Sequence, residues 1–466
     1  MLQGIFTTFA NCFKIPELKS RIFFTLMILC VCRLAAMIPI PGLDGAALSA
    51  FFDKIASQQD GPGLLGMYSM FTGGALERCG IGSLGIMPYI SATIIIQLMS
   101  AVVPTLSKLA REEGGRVKII QYGRYLTVIL CLGQGFVMSI AWENPDKIFQ
   151  GFEGSLVLSE TIWWYRIQTT IILTSGTLLL MWLGEQITDR GIGNGISLVI
   201  TIGILAQFPQ ACQAMYEWAF PPEGVESNFN LFYGIGLFAL LVGVTACTVA
   251  ITQAQRKIPV QYAQRQVGRK MVQGSSSFMP LRVNYAGVMP IIFAQALLMF
   301  PEKIFQFLGA SLQLKFLEDA AVLFRQGSIV YVLTYAAMII FFTYFWTATQ
   351  FNELQISDDL KKHGGYIPGV RPGQATCDFL HHTMSRITLA GAVFLTVIAV
   401  IPMFLADRFQ INYLVAQFFG GTSLLIAVGV VLDTMRQMES HLLMRHYDGF
   451  LQGKKGRKGP RLRGRF

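Results

Sequence analysis

Charge is scarce in this sequence. Asp, Glu, Lys and Arg make up 14% of its 466 residues, where soluble domains carry about 25%. With a mean hydropathy of +0.50, too little polar side chain is left to coat a water-soluble core, so the chain reads as a polytopic membrane protein. Catalytic and ligand chemistry is missing too. No GxxxxGK(S/T) phosphate loop, HExxH or HxE zinc pattern occurs. The stretch Gly114-Gly115-Arg116-Val117-Lys118 lacks the first glycine and the hydroxyl residue at the required spacing. Histidine is rare: His363, His381, His382, His441 and His446 all lie in polar segments. No Ser–His pair can therefore form inside a span, which excludes an intramembrane protease of that kind. The eight cysteines, Cys12, Cys30, Cys32, Cys79, Cys131, Cys212, Cys247 and Cys377, fall mostly in apolar stretches without a CxxC cluster. They read as small buried hydrophobes rather than a disulfide framework. No metal, cofactor or catalytic residue is expected, and the chain is not read as an enzyme.

Long apolar runs are abundant instead. A hydrocarbon core of about 30 Å takes about 20 apolar residues per helix. Ten stretches qualify: 22–40, 81–103, 121–141, 162–182, 192–211, 229–251, 283–304, 328–350, 386–406 and 414–434. Short alternating strands are lacking, so the spans are helices. Residues 6–21 mix polar and apolar side chains ahead of the first run, which reads as a retained anchor rather than a cleaved signal. With the N-terminus inside, 28 of the 37 Lys and Arg fall in the inner segments or at their edges. The outer side collects acids: Glu143, Asp146, Glu153, Glu160, Glu217, Glu223 and Glu226. The positive-inside rule then puts both termini in the cytosol. The expected fold is all-α and polytopic, with ten transmembrane helices in two inverted five-helix halves. An odd number of spans per half is what inverts one half against the other.

The expected organisation is a cytosolic segment 1–21, a first half 22–211, an external linker 212–228, a second half 229–434 and a basic cytosolic tail 435–466. Two large basic inner loops, 252–282 and 351–386, interrupt the second half. A secondary solute transporter also has inverted halves and broken helices. Such a carrier is expected to hold ionisable groups at the midplane. Spans two, five, seven and ten carry none between their ends. Pro88 and Pro290, inside spans two and seven, predict kinks there, and Gly82, Gly85 and Gly287 predict close helix approach. Arg33, midway along span one, is costly in lipid, by about 2.5–3.5 kcal/mol, and is expected to face the water-filled interior or else to snorkel outward.

Seven segments then occur in order. They are Phe13-Lys14-Ile15-Pro16-Glu17-Leu18, Ile38-Pro39-Ile40-Pro41-Gly42, and Gly73-Gly74-Ala75-Leu76 with Leu84-Gly85-Ile86-Met87-Pro88-Tyr89-Ile90-Ser91-Ala92. Next come Gly184-Glu185-Gln186-Ile187-Thr188 with Gly191-Ile192-Gly193-Asn194-Gly195-Ile196-Ser197, and Pro280-Leu281-Arg282-Val283-Asn284 with Ala286-Gly287-Val288-Met289-Pro290. The last two are Ile367-Pro368-Gly369-Val370-Arg371-Pro372-Gly373 and Gly420-Gly421-Thr422-Ser423-Leu424-Leu425-Ile426. Across roughly residues 5–450 the chain resembles the SecY family, the channel-forming subunit of the bacterial Sec protein translocase.

That resemblance implies a passive protein-conducting channel in the cell inner membrane, with a central pore between the two halves. It implies a plug at about 67–80, including Met70, Phe71, Gly73, Gly74, Glu77 and Arg78. An isoleucine in a membrane helix ordinarily faces lipid or packs. The resemblance turns Ile86, Ile90, Ile196, Ile200, Ile292 and Ile426 inward as a pore ring. It makes spans two and seven a lateral gate, where Ser91, Thr93, Gln97 and Asn284 would meet across the seam. It implies SecE and SecG as small membrane subunits, and signal peptides and nascent chains as cargo. Binding of the SecA motor ATPase or the ribosome is implied on loops carrying Arg256, Lys257, Arg265, Arg269, Lys270 and Arg371. The run of seven Lys and Arg after Gly453 reads as a disordered tail that adheres to anionic lipids, with contact to ribosomal RNA as the alternative.

Overall fold

The computed structural model describes residues 15–57, 69, 71–112, 114–145, 152, 154–158, 161–220, 231–262, 265–267, 270–272, 276–298, 305, 315–324, 328–409, 415, 418 and 421–451. The first half begins with α1 (Pro16–Met37) and the short α2 (Gly45–Ser57). It continues through α3 (Met87–Val102), α4 (Pro104–Arg111), α5 (Gly115–Glu143), α6 (Ile162–Arg190), α7 (Gly195–Ala206) and α8 (Phe208–Ala219). The second half opens with α9 (Leu231–Gln253), strands β1 (Gln255–Tyr262), β2 (Arg265–Val267), β3 (Lys270–Val272) and β4 (Ser276–Arg282), and α10 (Met289–Leu298). It ends with α11 (Lys315–Leu323), α12 (Ile329–Gln350), α13 (Glu353–Lys362), β5 (Gly365–Tyr366), α14 (Gln374–Phe409) and α15 (Thr422–Leu451).

Among the described residues, seven helical stretches are long and apolar enough to cross a membrane, and two shorter apolar helices lie at 87–100 and 289–298. With α15 they supply the ten spans, in two five-helix halves. In the first half α5 packs against α3 and α6, and α6 against α1 and α7. In the second, α12 packs on α14 and α9 on α15, while α15 also meets α7 and so joins the halves. Large side chains elsewhere point outward to lipid, among them Phe23, Leu26, Ile235 and Phe238.

The expected kinks at Pro88 and Pro290 are not what these prolines do. Each stands in the first turn of its helix, α3 or α10, where the missing N–H would have had no partner in any case. Span two is accordingly shorter than 81–103: residues 81–86 form turns and the helix starts at Met87. The glycine just upstream takes a left-handed conformation in both places, φ 58° at Gly85 and 61° at Gly287. These two glycines serve a turn that L-residues with a Cβ rarely adopt. Gly85-Ile86-Met87-Pro88 and Gly287-Val288-Met289-Pro290 are thus one helix-start signal used once in each half, a repeat that span counting alone does not reveal.

Span five also departs from its expected run of 192–211. The side chain of Asn194 caps α7 by accepting from the backbone N–H groups of Ile196 and Ser197. The helix then breaks at Gln207 and restarts as α8, with Pro209 in its first turn. The glycine-rich segment ahead of α7 is stapled on both sides: Ile192 donates to the Thr25 hydroxyl (3.1 Å) and Gly193 to Gln437 Oε1 (2.9 Å).

Two ion pairs tie α5 to α6 near opposite ends, Arg124–Glu185 at 2.9 Å and Arg166–Glu143 at 2.7 Å. They lie nineteen residues apart on both helices, about 28 Å at 1.5 Å per residue. That matches a hydrocarbon layer of about 30 Å. The exposed Trp163 and Trp164 sit beside the second pair, the level at which interfacial tryptophans gather.

The basic loops are folded. β1 pairs antiparallel with β4 from Gln255↔Arg282 to Gln261↔Ser276, and on its other edge with β5 at Gln261↔Tyr366. One three-stranded sheet therefore contains parts of both loops. Beneath it Ile258, Leu281, Phe351, Ile367, Leu380 and Met384 form a separate core. Helix α14 has 36 residues, about 54 Å of helix, so it outruns the bilayer and carries Leu380 and Met384 into that core. The sequence signals no strand here, because only Ile258 and Val260 on β1 show an alternating buried pair.

Candidate functional site

The expected isoleucines lie on four spans and belong to or pack against one extended buried core. Ile86 caps α3, and Ile90 donates its backbone N–H to the Ile86 carbonyl (3.2 Å), so the two stack one turn apart. Ile86, Ile90, Ile200, Ile292 and Ile426 are each 3% exposed or less and share one buried apolar cluster. Ile196 packs against the same cluster and is half-buried. That core extends through the bundle, with further residues from α1, α6, α9, α12 and α14.

Phe71 joins that cluster from the segment ahead of span two. Ser69, Phe71 and Thr72 are helical, and residues 73–79 continue as turns braced by side-chain and backbone contacts. Thr72 donates to the Ser69 carbonyl, Gly74 N–H donates to the same carbonyl, and Ser83 donates to the carbonyls of Ala75 and Gly80. Farther on, Ile40 N–H donates to the Cys79 carbonyl and Ile81 N–H to the Ile38 carbonyl (both 2.9 Å). The Ile38-Pro39-Ile40-Pro41-Gly42 motif is therefore a short extended strip that clips down residues 79–81. Leu76 and Cys79 enter a second apolar cluster with Leu48, Trp142, Tyr165 and Leu173. Gly73 and Gly74 both have positive φ, 68° and 80°. Arg78 is exposed and Met70 lies outside the described residues.

Arg33 reaches this turn. Half-buried on α1, it donates from Nη1 to the Gly73 carbonyl at 2.9 Å, so the cation faces the segment packed inside the bundle.

The four polar residues on spans two and seven bond locally in several cases. Thr93 donates to the Ile90 carbonyl (2.8 Å), and Asn284 Nδ2 donates to the Gly287 carbonyl (2.9 Å). Ser91 is buried. Among the described residues, Gln97 Oε1 and Asn284 Oδ1 are buried acceptors without a hydrogen-bond partner. A polar pair between other elements was missed: Gln295 on α10 donates to the Thr422 hydroxyl of α15 at 2.6 Å, with both side chains buried. A glutamine among apolar neighbours, three residues after Ile292, is the signal that marks it. Gln207 was missed as well, although a glutamine just before Phe208-Pro209 in an apolar run marks a break.

On the sheet side, Arg256 and Lys257 are exposed on β1. Arg265 and Lys270 lie on β2 and β3, a separate two-stranded hairpin, while Arg269 is outside the described residues. Arg371 is exposed on a braced turn. Thr376 donates to its carbonyl (2.9 Å), Ser357 donates to the Gly373 carbonyl (2.7 Å), and Gly369 and Gly373 both have positive φ.

Ten spans in two halves with a buried apolar core, and basic loops folded into a sheet, define a multi-pass helical membrane protein. The chain belongs to the SecY family, whose profile matches residues 80–435. It is similar to the protein translocase subunit SecY of Chlamydia trachomatis, 42% identical over 96% of this chain and 98% of the relative. It is also similar to that of Thermotoga maritima, 41% identical over 96% and 98%. Among solved structures it resembles a SecY channel whose plug domain stabilises the closed state and maintains a membrane seal (TM-score 0.56, 18% identity, 93% of this chain and 94% of that one). It resembles Sec61 in the canine ribosome–channel complex from the endoplasmic reticulum to the same extent (TM-score 0.55, 18% identity, 93% and 94%). The chain is a protein-conducting channel subunit of the translocon, a non-enzymatic role, and the solute-carrier alternative is not favoured.

Proposed function

We propose that this chain is the central pore of a translocon in the cell inner membrane, with both termini in the cytosol. It threads unfolded secretory polypeptides through the isoleucine cluster and releases transmembrane segments sideways between α3 and α10. The observation that carries this reading is the gathering of Ile86, Ile90, Ile196, Ile200, Ile292 and Ile426, from four spans, with Phe71 in one apolar cluster. An apolar collar dewets a narrow passage and so blocks ions. It also offers no hydrogen bonds, so no particular passing sequence is held. Residues 67–80 form the plug of the resting state. Polar contacts within membranes are worth about 0.6 kcal/mol each, at most ~2. With Thr93 and Asn284 bonded inside their own segments, the seam between α3 and α10 is weak enough for an apolar signal helix to part it.

The channel hydrolyses nothing, so partners supply the work. The sheet of the two basic loops and the braced Arg371 offer a docking face for the SecA motor ATPase or for the ribosome. The ribosome-bound Sec61 of similar fold supports the second. SecE and SecG accompany the pore in the lipid, and the basic tail adheres to anionic headgroups.

A photo-reactive side chain placed in turn at positions 86, 90, 200, 292 and 426 tests the reading with a stalled precursor. Cross-links from all five positions are expected. The same group is placed at the outward positions Phe23 and Ile235, and cross-links confined to those two would overturn the reading.

A further inference from the structure

We infer that Gln207 is a latch that holds the plug shut, gripping it through Ser69 and Glu77. The inference rests on reading residues 67–80 as the plug. Gln207 stands at the joint where α7 ends and α8 begins, and it is 3% exposed. Its backbone N–H donates to the Ile204 carbonyl (3.1 Å), which fixes where the carboxamide starts. Nε2 then reaches out of span five into the plug, donating to Ser69 Oγ at 3.2 Å and, more weakly, toward Glu77 Oε1 at 3.5 Å. Ser69 in turn donates its hydroxyl to Glu77 Oε1. One carboxylate oxygen thus collects two donors, one from the plug itself and one from the channel wall, and bonds to an ionised acceptor are the stronger kind.

The backbone around this cluster is shaped for the contact. Gly203 lies one turn before Gln207 on α7, and a Cβ there would come within 3.2 Å of the Phe71 carbonyl oxygen. A Cβ on Gly73 would come within 3.0 Å of Gly203 Cα. Wall and plug therefore meet backbone to backbone, which brings a side chain as short as glutamine into reach. On the other flank Arg33 holds the Gly73 carbonyl. The plug turn is gripped by α1 on one side and by the break in span five on the other, with Phe71 seated in the apolar cluster between them. The break in span five thereby has a use: an uninterrupted helix would carry residue 207 along the wall, whereas the joint aims it at the turn.

The donor–acceptor direction of the latch supplies the test. Glutamate is nearly the same shape as glutamine but cannot donate, and it repels Glu77. Resting anion conductance is measured for the full chain with its membrane partners in planar bilayers. Gln207→Glu is expected to raise it about tenfold, the loss of a hydrogen bond to a charged group. Exchanging the roles, Gln207→Glu together with Glu77→Gln, is expected to return it to within about twofold of the parent. Ser69→Ala, made from the plug side, is expected to leak moderately and to add little to Gln207→Glu. Deletion of 67–78 serves as the reference. If the deletion leaks while Gln207→Glu and Ser69→Ala stay sealed, the latch is wrong and the plug reading stands. If the deletion itself stays sealed, both fall. A double exchange that leaks as much as Gln207→Glu alone would reduce Gln207 to packing and overturn the latch.

Discussion

Ile426 is fully buried in the central cluster, so its replacement probes the collar rather than the surface. An asparagine there would bring an amide with no evident partner into hydrocarbon, at a cost of about 1–3 kcal/mol for an unsatisfied polar group. The cost falls on the closed state and is relieved once water or a passing chain enters. Ile426→Asn is therefore expected to raise resting conductance and to let precursors with defective signal sequences pass. Tight gating with normal signal stringency, read by conductance and an export reporter, would make Ile426 ordinary packing. At this scale the sequence was legible where chemistry repeats a family pattern, as with the isoleucines. Arg33 was legible from cost alone, because a cation in mid-span must find polar company, and the Gly73 carbonyl supplies it. Gln207 and Gln295 were not legible. Glutamine in an apolar run says only that some partner exists, and Ser69 and Thr422 lie 138 and 127 residues away in sequence.

Among the elements, α3 and α10 share a design: a left-handed glycine, a hydrophobic residue, a methionine and a proline in the first turn. Because each starts late, the ends of both spans are turns that can rearrange without breaking helical hydrogen bonds. That suits two helices proposed to part from each other. A cysteine pair bridging α3 and α10 is expected to abolish translocation until reduced, measured as protease-protected precursor in vesicles; full transport while bridged would exclude this seam as the exit. The ten spans were legible because 20-residue apolar runs leave few alternatives in lipid. Their starts were not, because hydropathy continues through residues 81–86 and 283–288 although the backbone there turns. The prolines looked like kinks for the same reason: proline is disruptive inside a helix and harmless in its first turn, and hydropathy cannot tell the two positions apart.

For the molecule as a whole, the basic loops carry little apolar sequence and held the least legible structure among the described residues. β1 and β4 are short and mostly solvent-facing, and the pairing of β1 with β5 joins residues more than a hundred positions apart. The brace around Arg371, by contrast, was visible in its Pro-Gly-Val-Arg-Pro-Gly spelling. Arg371→Glu reverses an exposed charge on a turn held by other residues' hydrogen bonds, so stability is expected to change by no more than about 0.5 kcal/mol. Motor-driven export is nevertheless expected to stop, read as precursor accumulation beside an unchanged melting temperature in detergent. Normal export in that variant would remove Arg371 from the docking face.

The sheet built from β4, β1 and β5 has a mechanical consequence. It fastens the connection between spans six and seven to the connection between spans eight and nine. A load applied anywhere on that plate is passed to four spans at once, six to nine, rather than to a single connection.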